Sequence, residues 1–300
     1  MALGKNIMFG SLGLAAIAGL SLPVASISAE TASEETAEAA EQSAFRKAVK
    51  FGFSGQEIQG GVMLGDAPAG TASLSFNGKS IPVDEDGKFI IAFNRDAGQS
   101  AQMVATLENG ETVRKFFHIA PRDWKIEHVN VARRSGGPSA AFMAVRRPEL
   151  ARIHAARQAK SDSKGWRQTF IWPAKGRISG MFGSQRIYKG EPGSYHSGVD
   201  IAGRTGTYFV APADGVVTLA ADKPFSLEGN LLMIDHGMGL NSAFLHASEI
   251  LVEEGQEVKR GEPIGRIGAT GRATGPHLHW SMKWNDARID PILLTGPMDN

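Results

Sequence analysis

Apolar runs in this chain are short, and most are closed by residues that turn the backbone. In the stretch 71–93, TASLSFNGKSIPVDEDGKFIIAF, the runs are broken by Asn77-Gly78 and Asp86-Gly87. Asn109-Gly110 does the same in QMVATLENGETVRKFFHIA, 102–120. Such pairs adopt the positive φ angles of tight hairpin turns, so the flanking runs are expected to be antiparallel strands. Leu74 and Phe76 then share one strand face, as do Val113, Lys115 and Phe117 on another. These features predict a small antiparallel β-sandwich over residues 49–122.

The C-terminal part repeats the plan. GRISGMFG, GVVTLAAD, NLLMIDHG, SAFLHAS and HLHWSMKW are strand-like runs bounded by Gly, Asn or Asp. No helix longer than a turn or two is expected after residue 165. Between the two β-rich parts lies a basic connector, 123–168. Its segment RRPELARIHAARQAK (146–160) predicts a helix over about 148–160, with Pro148 at its start and His154 upon it. The expected fold class is therefore mainly β: a small N-terminal antiparallel β-sandwich, a helical connector and a C-terminal β domain over 169–300.

The N-terminus has the order of an export signal. Lys5 is followed by the apolar stretch Ile7 to Val24 and then by small residues in ASISAE. A signal peptide over 1–29 is expected, with cleavage after Ser28 or Ala29, so the protein is expected in the periplasm or cell envelope. Residues 30–48 carry five glutamates between Glu30 and Gln42 and read as an acidic tether. The net charge of the whole chain is +1, which gives no nucleic-acid footprint. The stretch 121–190 is the local exception, with 15 Lys and Arg against 4 Asp and Glu, a net of +11. It is expected to favour an anionic wall surface.

Cysteine is absent, so any metal site must use imidazole and carboxylate ligands. Two glycine-bearing stretches carry these groups: GSYHSGVDIAG (193–203), with His196 and Asp200, and GPHLHW (275–280), with His277 and His279. On a strand His277 and His279 point to one face, and Leu278 and Trp280 to the other, toward a core. A straight strand would separate His196 from Asp200 by about 13 Å. Sharing an ion therefore needs a bend between them, which Gly198 permits. Three ligands of His, Asp and His type leave a fourth position open, the arrangement of a catalytic zinc site. Spacing does not rank His277 against His279 as the ligand.

Residues 170–295 resemble the lysostaphin/LytM-type zinc metallopeptidases, which cut peptide bonds in bacterial cell walls. The resemblance rests on SGMFGSQR, HSGVDIAG, APADGVV, IDHGMGLNSAFLH, VKRGEPIGRIGATGRATGPHLHW and a final DP, in matching order and spacing. It implies that His196, Asp200 and His279 bind Zn2+ and that His246 and His277 are catalytic. It also implies two antiparallel sheets forming a groove with zinc on its floor, and hydrolysis of peptidoglycan peptides by a zinc-activated water. Thr207-Tyr208-Phe209 and Phe244 depart from the family's usual residues and bear on the fit of the substrate. His236 is expected to be a strand-end residue, His118 and His128 lie outside the cluster, and Arg186 is expected in a salt bridge or groove wall. The alternative is a non-catalytic wall-binding activator of a separate peptidoglycan amidase. Such regulators typically lack ligand residues, and all five are present here. A regulatory envelope protein that moves the N-terminal module off the groove is a further partner to consider.

Overall fold

A computed structural model describes residues 50–132 and 136–298. The expected signal peptide and acidic tether lie outside the described residues. From residue 50 onward the chain is one compact unit.

The N-terminal strands are β1 (Gly52–Gly55), β2 (Val62–Asp66), β3 (Thr71–Phe76), β4 (Lys79–Ile81), β5 (Lys88–Ala92), β6 (Ser100–Leu107) and β7 (Thr112–His118). They form two antiparallel sheets, β1-β2-β5 and β4-β3-β6-β7. Phe53, Phe76, Phe89, Phe93 and Phe117 interleave between them with centroid spacings of 5.0–6.2 Å. Asn77-Gly78 turns β3 into β4 with both φ angles positive, as the hairpin reading requires.

The connector differs from its expected form in two ways. It contributes a strand, β8 (Ile126–Val129), which pairs in parallel with a later strand. Its helix α1 spans Ala140–Gln158, starting eight residues before the expected position. Ser139 caps it by accepting from Phe142 N, and Pro148 lies inside it. The cap and the packing of Ile153 and Ala156 outweigh the backbone hydrogen bond that Pro148 cannot make.

The C-terminal part continues with β9 (Ile178–Gly180), β10 (Gln185–Tyr188), β11 (Glu191–Pro192), β12 (Val199–Ala202), β13 (Tyr208–Val210), β14 (Gly215–Ala220) and β15 (Asn230–Asp235). It closes with β16 (Leu240–Ala247), β17 (Glu249–Ile250), β18 (Glu257–Val258), β19 (Pro263–Arg266), β20 (His277–Trp284), β21 (Ala287–Ile289) and the short helix α2 (Ile292–Thr295). The main sheet runs β18-β14-β15-β16-β20-β12-β9, with β21 also on β20. A second sheet, β13-β19-β17, packs against one face of it, where Phe209 stacks on Phe244 at 5.4 Å. On the opposite face α1 covers part of β14–β16: Ile153 and Ala156 pack with Leu219, Leu231, Met233, Ala243 and Leu245. Among the described residues no helix is long and apolar enough to cross a membrane.

The N-terminal sheets are pinned to the C-terminal part. Arg122 pairs with the buried Asp290 at 2.8 Å, Phe76 meets Trp284 edge-on, and Lys164 and Arg167 bind Asp84. Within the basic stretch Arg122, Lys164 and Arg167 are engaged in this way, and Arg146, Arg152 and Arg186 also bind carboxylates.

His236, at the end of β15, is fully buried. Its Nδ1–H donates to Asp214 O, and its Nε2 accepts from the Ser242 hydroxyl, whose oxygen accepts from Trp280 Nε1–H. Burial pulls its pKa down to about 4, against an ordinary value near 6.5. The folded protein therefore holds His236 neutral where the unfolded chain binds a proton. Its stabilising contribution should be complete above pH 6.5 and fall as pH drops toward 4, by roughly 3 kcal/mol. Denaturant titrations at pH 7.5 and 5 should show a smaller pH-dependent loss for His236→Gln than for the parent. Equal losses would reject this account.

Candidate metal centre

β20 supplies the floor. Leu278, Trp280 and Met282 are buried in the core, while His277, His279, Ser281 and Lys283 take the other face. Antiparallel pairing sets Asp200 directly opposite His279. His196 precedes β12, and the chain turns between it and Asp200 as the spacing argument requires. Gly198 serves this by close approach, not by a left-handed backbone: a Cβ there would lie 2.4 Å from Trp280 O and 2.8 Å from His279 Nε2.

The result is a tight triangle. Asp200 Oδ1 lies 3.0 Å from His196 Nε2 and 2.7 Å from His279 Nδ1, and the two nitrogens are 3.1 Å apart. Among the described residues His196, Asp200 and His279 form the group whose donor atoms could share one ion. The chemistry fits zinc: two imidazoles and a carboxylate, close enough for bonds of about 2.0–2.2 Å. Gly180 walls the triangle, since a Cβ there would meet Asp200 Oδ2 at 2.3 Å and His196 Cε1 at 3.0 Å. Burial alone would raise the Asp200 pKa, but hydrogen bonds with the two histidines hold it well below the usual carboxylate range. Burial also lowers the His279 pKa and outweighs the pull of Asp200.

Backbone carbonyls fix the rings. His196 Nδ1–H donates to Met181 O at 3.1 Å, which turns Nε2 into the triangle. The 181–184 turn is itself braced from the N-terminal module. Arg95, between the rings of Trp124 and Tyr195, donates to Gly183 O at 2.9 Å. Gly183 has φ 81°, and a Cβ there would lie 2.1 Å from the Trp124 ring, so glycine is required.

His246 and His277 stand beside the triangle, with ring centroids 4.9 Å apart. His277 Nδ1–H donates to Gly275 O and His246 Nδ1–H to Thr270 O, both at 2.8 Å, which leaves both Nε2 atoms without a hydrogen bond; that of His277 lies 3.8 Å from Asp200 Oδ1. Burial, then the neighbouring histidines, lower the His246 pKa despite its bond to Thr270, so it is neutral near pH 7. Strand parity would send His246 into the core, because Phe244 is buried there. A bulge between Asn230 and Leu232 and a left-handed backbone at His246, φ 65°, reverse this. Glu228 O accepts from His246 N, and the Glu228 carboxylate is gripped by both terminal nitrogens of Arg146 in α1, at 2.6 and 2.7 Å.

The structure thus brings all five expected residues together. His118, His128 and His154 lie elsewhere and are exposed, and Arg186 pairs with Glu127 at 2.7 Å. The supports that sequence reasoning missed are Arg95, Arg146, Glu228 and Thr270. None stands near a motif histidine at a telling spacing except Thr270, in the glycine-rich run before His277.

Comparison with known proteins agrees with this geometry. The profile of Peptidase family M23 matches residues 194–291. The peptidoglycan DD-endopeptidase ShyA of Vibrio cholerae is 41% identical over 132 residues, 44% of this chain and 30% of that protein. The murein hydrolase activator NlpD of Escherichia coli is 35% identical over 124 residues, 41% of this chain and 30% of that protein. The chain therefore spans less than a third of either relative. A solved Pseudomonas aeruginosa structure assigned to peptidase M23 superposes with TM-score 0.63 at 26% identity, covering 85% of this chain and 99% of that one. At 85% of this chain the likeness extends beyond the profile match. The chain carries, over residues 194–291, a domain of the M23 peptidase family.

Proposed function

We propose that this protein is a zinc metalloendopeptidase that hydrolyses peptide bonds in peptidoglycan. The observation that carries the reading is the convergence of His196 Nε2, Asp200 Oδ1 and His279 Nδ1 within about 3 Å, with two further imidazoles beside them. His196, Asp200 and His279 would hold the metal. A bound zinc ion supplies Lewis-acid polarisation of the scissile carbonyl and activation of water. His246 and His277 have the free Nε2 atoms needed to take a proton or to donate to a developing oxyanion. The neutral state of His246 suits it to the first task. The signal-like N-terminus and the wall-directed names of the relatives support a site of action in the periplasm or envelope.

Similarity to an activator supports a second reading, in which the domain binds the wall and stimulates a separate amidase. The intact five-residue set favours catalysis. Mass spectrometry of muropeptides released from purified sacculi by the zinc-loaded protein decides between them. The enzyme should release products of peptide-bond cleavage. Release only when an amidase is added would support the activator.

Single substitutions should separate the two groups of residues. His196→Ala, Asp200→Ala and His279→Ala should lose both bound zinc and activity. His246→Ala and His277→Ala should retain most of the zinc and lose activity by ~10²- to 10⁴-fold. Zinc lost from His277→Ala but kept by His279→Ala would reverse the assignment within the H-x-H pair.

Arg146 positions His246 through Glu228 without touching the metal. Arg146→Gln should keep its zinc and lower kcat by up to ~10²-fold, because small displacements of a catalytic group are costly. An unchanged kcat would show that the clamp is structural only.

A further inference from the structure

The face that carries the triangle continues along β20, and its other end is cationic. Ser281 and Lys283 follow His279 on that face, while Leu278, Trp280, Met282 and Trp284 are buried on the opposite one. Lys283 is directly opposite Asn241 of β16 on one side and Arg288 of β21 on the other. Facing pairs of this kind have Cβ atoms about 5 Å apart. Arg157, in the last turn of α1, donates to Asn241 Oδ1 at 3.2 Å. Three cations, from α1, β20 and β21, therefore meet over one patch of the face.

None of the three makes an ion pair among the described residues. The nearby acids are engaged elsewhere. Asp235, directly opposite Asn241, accepts from Ser161 N and Oγ, Glu228 is held by Arg146, and Asp286 lies 3.7 Å from Lys79. Burial, then Arg288, pull the Arg157 pKa down to about 10, and burial and both arginines lower that of Lys283. Like charges gathered and partly desolvated in this way oppose folding. The arrangement has a use if an anion completes it.

The geometry points to a carboxylate-binding subsite formed by Arg157, Lys283 and Arg288. It rests on the reading of the neighbouring triangle as a peptidase centre, and it names an acidic peptide as the substrate class. Lys283 is four residues from His279, about 13 Å along the strand. An extended peptide covers that distance in about four residues. The subsite would therefore grip a carboxylate some four residues from the bond cut, and so set the register of the substrate. Arg157 and Lys283, half-buried, would bind it with little solvent screening, and Arg288 would close the site from the exposed side.

Binding of three acetylated alanine-rich tetrapeptides, measured by calorimetry on the zinc-loaded protein, tests this. One ends in a free carboxylate, one ends in a carboxamide but carries a D-Glu side chain, and one is a carboxamide with no acid. A carboxylate probe should bind roughly tenfold or more tightly than the uncharged probe, as expected for charge-assisted hydrogen bonds. Whichever acid binds more tightly identifies the source of the carboxylate. In Lys283→Gln and, separately, in Arg288→Gln the preference should fall toward unity while zinc content stays at the parent value. Arg288 is exposed, so its replacement is a second variant that does not depend on the fold tolerating a change at Lys283. Equal affinity of the parent for all three probes, or variants that keep the preference, would overturn the subsite. Sacculus hydrolysis measured on the same preparations separates the two claims. A protein that discriminates the probes but cuts no wall peptide retains the subsite and loses the proposed activity. One that cuts wall peptides without discriminating loses the subsite alone.

Discussion

The two-residue period of β20 is the constraint on which the rest depends. Its odd positions carry imidazoles and a cation, and its even positions carry Leu278, Trp280, Met282 and Trp284 into the core. Packing on one face thereby sets the position of the chemistry on the other. Trp280 is the anchor. Its ring lies parallel to Phe244, which stacks on Phe209 of the second sheet, and its indole N–H reaches Ser242 and through it His236. A neutral, fully buried histidine in that chain is affordable because both ring nitrogens are partnered.

Parts of the chain outside the family match press on the loops that hold the donor atoms. Arg95, from the N-terminal sheets, supports the turn whose Met181 carbonyl orients His196. Arg146, from α1, grips the loop whose Glu228 carbonyl receives His246 N–H. The N-terminal sheets and α1 are thus more than spacers. Arg95 braces the turn that orients His196, and Arg146 braces the loop that receives His246.

Two polar stations share one sheet face. At one end stands the triangle of His196, Asp200 and His279, which with a zinc ion bound would carry a net positive charge. At the other, Arg157, Lys283 and Arg288 stand without an ion-pair partner among the described residues. Neutral Ser281 and Ala243 lie between them. Two cationic stations this far apart on a single sheet face suit an extended, partly anionic chain better than a compact ligand.

Much of this was legible in the residues. The Asn-Gly turns and the two-residue alternation announced antiparallel strands, because turn geometry and strand parity are local properties; Asp86-Gly87 also turns the backbone, but the strands it joins, β4 and β5, belong to different sheets. The same parity put His277 and His279 together, ligand chemistry and the bend at Gly198 joined them to His196 and Asp200, and the place of His246 and the ranking within the H-x-H pair came from resemblance. Other features were beyond local reading. The start of α1 depended on packing that outweighed Pro148. His246 reaches the site only because a bulge and a left-handed residue reverse its parity, and a bulge is decided by the partner strand. The grip of Arg146 on Glu228, 82 residues away, and the meeting of Arg157, Lys283 and Arg288 have no local signature. Sequence alone determined which side chains alternate and where the backbone turns. Tertiary structure decided which of them meet, because long-range pairing between strands and helix is set by burial of a shared core.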